Sequence, residues 1–565
     1  MELSNYAQEI IESRYLWENE KTWNDLVDRV SRECAKNEQK DQEKWYEAFK
    51  YAIGNMYFIP AGRILRNLGK LRPSTSNCNV LSIEDNIESI GETLKNFLII
   101  ASHGGGTGIN FSPLRPKGAP LKTKGGFSSG LVSFIEMFNN CGERIETGGS
   151  RRGAGIALCD ISHPEVIDFI NAKIKHNKLN QFNISVIINT SFIKAVENNE
   201  DWEFKFAGKS YGKTKAREIW NLILKNMLEH SEPGLINWDN LKKNNSYYFS
   251  PITCVNPCGE VGLGNLETCN LASLVLPFFI SNKNTNWQKL SETIKTIVRF
   301  LDNIIDLSYY PIVGQEIAVK NARRIGVGTM GLADFLFIKE IRYGSDRSIN
   351  EIERLYKFIR DEVYIASIEL AIERGTFPKY NRSDYTDASF IKKLPPKIRM
   401  MIKDHGIRHV SSLSCQPTGT SSLIPGVVGG IEPLPYKGYI RKDGVGERIY
   451  VHPLNKTSAN EEWFVDSYDL KPEEHLDVQS VIQKYTDGGI SKTILVPADT
   501  TEKKLSKILL EFINDIKGCT LYRDESREKQ VYYRMNDKEI KDYLSIAETE
   551  LDTTDVDCKD GTCEI

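Results

Sequence analysis

Residues 253–274 read TCVNPCGEVGLGNLETCNLASL and place Asn256, Cys258 and Glu260 at alternate positions. In extended backbone, side chains two residues apart point the same way, so these three would share one face. A thiol between an amide and a carboxylate suits hydrogen-atom and proton transfer with one small substrate. The carboxylate can act as base, the amide can orient by hydrogen bonding, and the thiol can cycle through a radical. A second thiol, Cys269, follows eleven residues later. Taken alone, the same residues also allow a buried, inert cysteine beside a surface acid, because free cysteines mostly behave as small hydrophobes. A zinc site built from Cys254, Cys258 and Cys269 would lack paired Cys-x-x-Cys spacing and a suitable histidine.

Outward from this stretch, short apolar strands alternate with long amphipathic helices. Residues 181–189, QFNISVIIN, alternate Phe182, Ile184, Val186 and Ile188 and predict a strand. Helices are predicted over 217–230, over 287–308 with Leu290, Ile294, Ile297, Leu301, Ile304 and Ile305 on one face, and over 352–374 up to Gly375. This alternation predicts an α/β fold. The first sixty residues read as a helical N-terminal region, with Ile10, Ile11, Leu26, Val27 and Val30 at helical spacing. Residues 70–160 are rich in glycine (HGGGTGIN, KGAPLKTKGGFSSG, TGGSRRGAG), which implies sharp bends or close approach to a ligand. Gly326, Gly328 and Gly331 spell GxGxxG, but the preceding KNARRI is not a convincing strand, so a dinucleotide-binding fold is rejected. From Glu548 to Ile565 seven acids accompany one lysine, and a flexible tail over 536–565 is expected.

Composition narrows the classes. The 565 residues are 40% hydrophobic and 26% charged with net charge −3, so no basic field marks a nucleic-acid coat or a membrane-surface protein. Anionic ligands must be held by local cations and backbone amides. The N-terminus lacks the apolar core of a signal peptide and no run of apolar residues could span a bilayer, so a cytoplasmic protein is expected. Eleven cysteines, an odd number, argue for reduced thiols rather than a disulfide framework.

NPCGE followed by ETCNL resembles the active-site signature of ribonucleotide reductase large subunits. The resemblance covers roughly residues 55–535 and the tail. It implies a ten-stranded α/β barrel over 61–535 with a central finger loop, and an enzyme that makes 2′-deoxyribonucleotides for DNA synthesis by thiyl-radical chemistry. It implies that Cys258 carries the radical, that Asn256 and Glu260 assist proton transfer, and that Cys269 pairs with Cys78 of SNCNVL in a disulfide formed once per turnover. QPTGTSSLIPGVVGGIEP, residues 416–433, resembles the family's substrate-phosphate loop. There Gly419, Thr420 and Ser421 would offer amides and hydroxyls from a small-residue turn opening a helix; a plain Ser/Thr-rich turn is the alternative. IPAGRILRNLG implicates Gly62 and Arg63, and Asn77 joins them as a substrate-side residue.

The segment 78–155 resembles the family's allosteric specificity site for a deoxynucleoside triphosphate or ATP. Asp85 would meet the effector ribose, Asn86 would join it on the effector side, and Arg115 and Lys122 would hold the phosphates; a solvated basic loop is the bland alternative. GGSRRGAG, with Gly149, Ser150, Arg151 and Arg152, resembles the loop that reports effector identity. Cys558 and Cys563 in DCKDGTCEI match a tail pair that re-reduces the active site and is itself reduced by thioredoxin or glutaredoxin; two unremarkable terminal thiols are the alternative. KGCTLYRDESREKQ, with its single Tyr522, resembles the adenosylcobalamin-dependent class, and no metal ligands are expected from the protein. Asp404-His405-Gly406 does not fit a cobalamin signature, so that cofactor is implied by the resemblance alone. Tyr532 and Tyr533 keep open a class with a separate di-metal subunit, whereas no glycyl-radical motif ends the chain. The resemblance further implies a homodimer and no ATP-binding module before residue 60. Diphosphate substrates are expected, with triphosphates left open by the residues. A regulator that kept the effector site but lost catalysis would have no need of Asn256, Cys258, Glu260, Cys78, Cys269 and both tail cysteines together. A protein thiol oxidoreductase would want a Cys-x-x-Cys motif, which is absent.

Overall fold

The computed structural model describes residues 3–121, 125–145, 154–175, 179–243, 248–443, 446–524 and 532–553. Lys122, Gly149, Ser150, Arg151, Arg152, Cys558 and Cys563 therefore lie outside the described residues.

The chain starts all-α, with helices Asn5–Arg14, Trp23–Ala35, Gln42–Gly54 and Gly62–Asn67. Trp23–Ala35 opens on a capping box: the Asp25 amide donates to Thr22 Oγ1 at 3.2 Å, and the Thr22 amide to Asp25 Oδ2 at 2.9 Å. Its apolar stripe of Leu26, Val27, Val30 and Cys34 is buried, and it packs on the long helix Trp287–Leu307. The region is not helical throughout. Phe58–Pro60 is a strand that pairs antiparallel with Leu271–Val275, Ile59 standing opposite Ser273. The N-terminal region is thereby stitched to the segment that follows ETCNL.

Five strands run parallel in the order Cys78–Leu81, Gly106–Asn110, Gly155–Asp160, Phe182–Ile188 and Gly234–Asn237. Gly518–Arg523 adds antiparallel to the last of them, and Thr493–Val496 adds parallel to Gly518–Arg523. A second sheet pairs Leu271–Val275 in parallel with Gly326–Met330. Isolated bridges join Asn79 to Thr268 (antiparallel), Val327 to Leu413 and Cys415 to Ile490 (both parallel). The parallel strands are buried on both faces, as crossover helices require. Leu81, Ile109, Ala157, Cys159, Ile184, Val186 and Leu235 face the helices. Val80, Ile156, Leu158, Ile187 and Ile236 face inward, where they meet Cys254, Val255, Val261 and Leu263.

Gly326 and Gly328 of the GxGxxG lie within the strand Gly326–Met330, and Gly331 (φ +76°) follows it, turning the chain into helix Leu332–Ile338. An added Cβ at Gly326 would meet Ser414 Oγ at 2.5 Å, and one at Gly328 would meet Gln416 Oε1 at 2.4 Å. Gly326 and Gly328 thus serve strand packing, and KNARRI before them is no strand, since helix Gln315–Ala322 runs into it. The helix predicted from residue 352 begins at Asp346, where Ser345 Oγ accepts from the Ser348 amide at 3.2 Å. The expected flexible tail is corrected in part, since Asp537–Thr553 is helical. Asn536 and Glu539 cap that helix reciprocally at 3.0 and 2.7 Å, and Ile540 is buried. Among the described residues no helix is long and apolar enough to cross a membrane.

Helices Trp287–Leu307 and Asp346–Arg374 are tied by a buried charge cluster. Asp302, fully enclosed, accepts from Arg323 (2.7 Å), Arg374 (3.0 Å), Arg408 (3.0 Å) and His409 Nε2 (3.1 Å). Burial alone would raise its carboxyl, but the His409 hydrogen bond and the arginine charges hold it well below the usual range.

Candidate active site

The NPCGE segment is the tip of a hairpin between Cys254–Val255 and Gly262–Leu263, with Val255 opposite Gly262. Asn256-Pro257-Cys258-Gly259 is a β-turn: the Gly259 amide donates to the Asn256 carbonyl at 2.8 Å, and Gly259 has φ +79°. The Val261 amide donates to Asn256 Oδ1 at 2.8 Å. The extended backbone expected from the alternate spacing is thus replaced by a tight turn. Proline at the second turn position and glycine at the fourth were the signal for it. Asn256 is fully buried and points its Nδ2 at Cys78 Sγ, 3.4 Å away. Cys258 and Glu260 instead line a cavity of about 470 Å³.

That cavity gathers the other predicted substrate-side positions, for Gly62, Arg63, Asn77, Cys78, Gly419, Thr420 and Ser421 all line it. Asn77 Oδ1 accepts from the Arg63 amide at 3.3 Å, and Arg63 Nη1 donates to the His103 carbonyl at 2.7 Å. The loop at 419–421 opens a single 3₁₀ turn, Ser421–Leu423, rather than the expected helix. Thr418, with φ +50°, bends the chain there, and its Oγ1 accepts from the Gly430 amide at 2.7 Å. Cys78 and Cys269 are neighbours. The Cys269 amide donates to the Cys78 carbonyl at 3.1 Å, and both thiols are free. The adjacent Cys269 thiol and then burial push the Cys78 thiol well above its ordinary value.

Sequence reading missed the residues that seat the hairpin. Gly106 and Gly108 lie on the inward face of the neighbouring strand. An added Cβ would meet Pro257 Cγ at 2.9 Å from Gly106, and the Val255 carbonyl oxygen at 1.9 Å from Gly108. On the other side, a Cβ at Gly489 would stand 2.7 Å from the Gly259 carbonyl oxygen, and the Gly489 amide donates to the Glu260 carbonyl at 2.6 Å. Lys517 Nζ braces this turn through the carbonyls of Asp487 and Gly488 at 2.5 and 2.9 Å. The glycine spacing of HGGGTGIN, taken from sequence for effector binding, at these two positions clears space for the hairpin. Gln416, the first residue of the predicted loop, was not singled out there; its Nε2 donates to Ser273 Oγ at 2.7 Å.

Cys258 also lines a second cavity, of about 720 Å³, together with Pro257, Gly259, Tyr436, Lys492 and Tyr522. Cys258 thus borders both spaces. Lys492 is enclosed there; burial lowers its ammonium, opposed by Glu432 at 2.9 Å.

Two family models match the chain: "Ribonucleotide reductase, barrel domain" over residues 76–522 and "Ribonucleotide reductase, all-alpha domain" over residues 1–73. The chain belongs to the ribonucleotide reductase large-subunit family. It is 32% identical to a vitamin B12-dependent ribonucleoside-diphosphate reductase of Mycobacterium tuberculosis (strain CDC 1551 / Oshkosh), covering 100% of this chain and 84% of that one. Its identity to the protein of the same name from Thermoplasma acidophilum is 34%, over 86% of this chain and 66% of that one. The ribonucleoside-diphosphate reductase large chain of Schizosaccharomyces pombe is 28% identical, and the match spans about half of it (55%).

Within this reductase chain, Asp85 and Arg115 meet as an ion pair at 2.8 Å, both about 30% exposed. The Arg115 amide also donates to Asp85 Oδ1 at 3.1 Å. The Asn86 side chain is engaged as the cap of helix Ile87–Ser102, accepting from the Ser89 amide at 2.8 Å. Lys122 and the 149–152 positions fall outside the described residues. Tyr522 lies in the Gly518–Arg523 strand beside Cys258's second cavity, whereas Tyr533 is exposed on a separate sheet that pairs Tyr532–Arg534 with Gly438–Asp443.

Proposed function

We propose that this chain is a ribonucleotide reductase that converts ribonucleoside diphosphates to 2′-deoxyribonucleoside diphosphates, using adenosylcobalamin as radical source. The observation that carries the reading is the position of Cys258 on a hairpin tip between two cavities, with Cys78 lining the smaller, inner one and Cys269 buried beside Cys78. In this reading Cys258 takes a hydrogen atom from the ribose and returns it after the 2′-hydroxyl has left as water. Glu260 serves as proton acceptor and donor at the ribose, and Asn256 fixes the turn and orients Cys78. The two electrons come from Cys78 and Cys269, whose thiols end as a disulfide. Enclosure of the hairpin keeps a thiyl radical from water and stray reductants.

Ser185, Tyr436, Ser491, Lys492, Thr493 and Tyr522 are the residues that would hold the cofactor, because they surround the large cavity on Cys258's second side. The fit rests on that volume and on its mixture of hydroxyl, ammonium and aromatic groups. A bound adenosylcobalamin would supply there the organic radical that oxidises the thiol. The separation of Tyr533 from this cavity, and the names of the relatives, favour this class over one needing a di-metal subunit.

The fold of the reading is a ten-stranded barrel: five parallel strands from Cys78 to Asn237, and five more at 271–275, 326–330, 413–415, 490–496 and 518–523. Support comes from the antiparallel seams at Gly234–Asn237 and at Asn79 with Thr268, and from the parallel bridges of Val327 and Cys415. Asp85, Asn86, Arg115 and Lys122 form the effector site for a deoxynucleoside triphosphate or ATP, with residues 149–152 as its reporter, in a homodimer. Cys558 and Cys563 carry reducing equivalents inward from thioredoxin or glutaredoxin. The purified chain alone, given cytidine diphosphate, a dithiol and adenosylcobalamin, should form deoxycytidine diphosphate, and none without the cofactor. Turnover only after addition of a di-metal subunit would overturn the cofactor reading.

A further inference from the structure

Among the described residues that line the inner cavity, Arg14, Arg63 and Arg66 are cationic and only Glu260 is acidic. Elsewhere in the N-terminal helices cations are matched with acids: Arg29 with Glu20, Arg32 with Asp28, Lys36 with Glu33 and Lys50 with Asp28. Arg14 and Arg66 make no ion pair among the described residues. Their contact is with each other, Arg66 Nη1 donating to the Arg14 carbonyl at 2.6 Å. Positive charge is crowded enough here that Lys70 is pushed down, by burial first and then by Arg66, Arg29 and Arg63. Half-buried guanidinium groups without carboxylates are poised for an anion, and their planar forks suit phosphate oxygens.

The anion's place is set by what lies opposite. Helix Asn5–Arg14 packs against the Ser421–Leu423 turn, so Arg14 and the small-residue loop bound the same space. Both arginines stand in the last turns of their helices, where the dipole favours a cation. That preference accounts for a cation on each helix, but not for two of them on one cavity whose sole acid is the catalytic candidate. We propose that Arg14 and Arg66 clamp the diphosphate of the ribonucleotide against the 419–421 turn, making the N-terminal helical region part of the substrate site. The inference rests on the substrate reading given above.

The test is equilibrium binding of cytidine diphosphate and of cytidine to the full chain without cofactor, for the wild type, Arg14→Gln, Arg66→Gln and the double variant. Each single change should weaken diphosphate binding by about tenfold, the loss of one charge-assisted contact, and the double more, with cytidine binding unchanged. Arg66→Lys should recover part of the loss. Unchanged diphosphate affinity in both single variants, or equal weakening of diphosphate and nucleoside, would overturn the clamp. Should Arg66→Gln fail to fold, Arg14→Gln at a half-buried helix end decides alone. Arginine-dependent binding by a wild type that makes no deoxynucleotide would keep the clamp and reject the proposed reaction. Turnover with unaltered binding in the variants would do the reverse.

Discussion

Replacing Gly108 by alanine tests whether the hairpin's seat sets the position of the thiol. The added Cβ would lie 1.9 Å from the Val255 carbonyl oxygen and 3.2 Å from Cys254 Sγ. Restoring an ordinary contact of about 3.4 Å needs a shift of about 1.5 Å in the strand or in the hairpin. The obstacle is backbone, so no side-chain rotation relieves it. Val255 is three residues from Cys258, and a misplacement of about 1 Å at reacting atoms costs on the order of a hundredfold in rate. Overpacking of this kind also costs about 1–3 kcal/mol of stability. Gly108→Ala should therefore fold with a lowered denaturation midpoint and form deoxynucleotide roughly a hundredfold more slowly. Gly91→Ala is the control. Nothing lies within 4 Å of a Cβ there, on the exposed side of helix Ile87–Ser102. It should gain about 0.5–1 kcal/mol from helix propensity and keep its rate. A folded Gly108→Ala enzyme with wild-type turnover would refute the seating argument.

Cys558→Ser should leave turnover with a small dithiol intact and abolish it with thioredoxin; equal rates with both reductants would remove the tail from the electron path. Asp85→Asn should change stability by about 1 kcal/mol or less, because its pair with Arg115 is only partly buried and is screened by water. The same change should weaken deoxynucleoside triphosphate binding, measured by equilibrium dialysis, and unaltered binding would displace the effector site. Burial pushes His409 down to about 4, the Asp302 hydrogen bond opposing. An unfolded chain takes up that proton near pH 6.5, so its contribution to stability is fully present above that pH and is lost as pH falls through about 4. Denaturant titrations of the wild type and His409→Asn should diverge in slope over that window, and parallel profiles would contradict the assignment.

Much of the site could be read from residue types, though not its geometry. Cys78 and Cys269 lie far apart in the chain, and only the likeness to a family paired them before the Asn79–Thr268 bridge brought them together. Alternate spacing of Asn256, Cys258 and Glu260 predicted one face; a proline and a glycine between them produced a turn instead, sending Asn256 behind the cavity. Gly106 and Gly108 carried a signal two residues apart, an empty inner face of a strand, but emptiness acquires meaning only when the hairpin occupying it is known. Arg14 and Arg66 offered no motif, since two helices of separate sequence deliver them to one cavity. Long helices such as Trp287–Leu307 were legible because their apolar stripe is local. The helix at 537–553 was obscured by its acidic composition, although Asn536, Glu539 and Ile540 supply a cap and an anchor.

The most direct measurement is deoxycytidine diphosphate formation by Cys258→Ser, supplied with cytidine diphosphate, cofactor and dithiol beside the wild type. A hydroxyl in place of that sulfur should leave no product above background while cytidine diphosphate still binds. Sustained turnover by the serine enzyme would contradict the radical role assigned to this one atom.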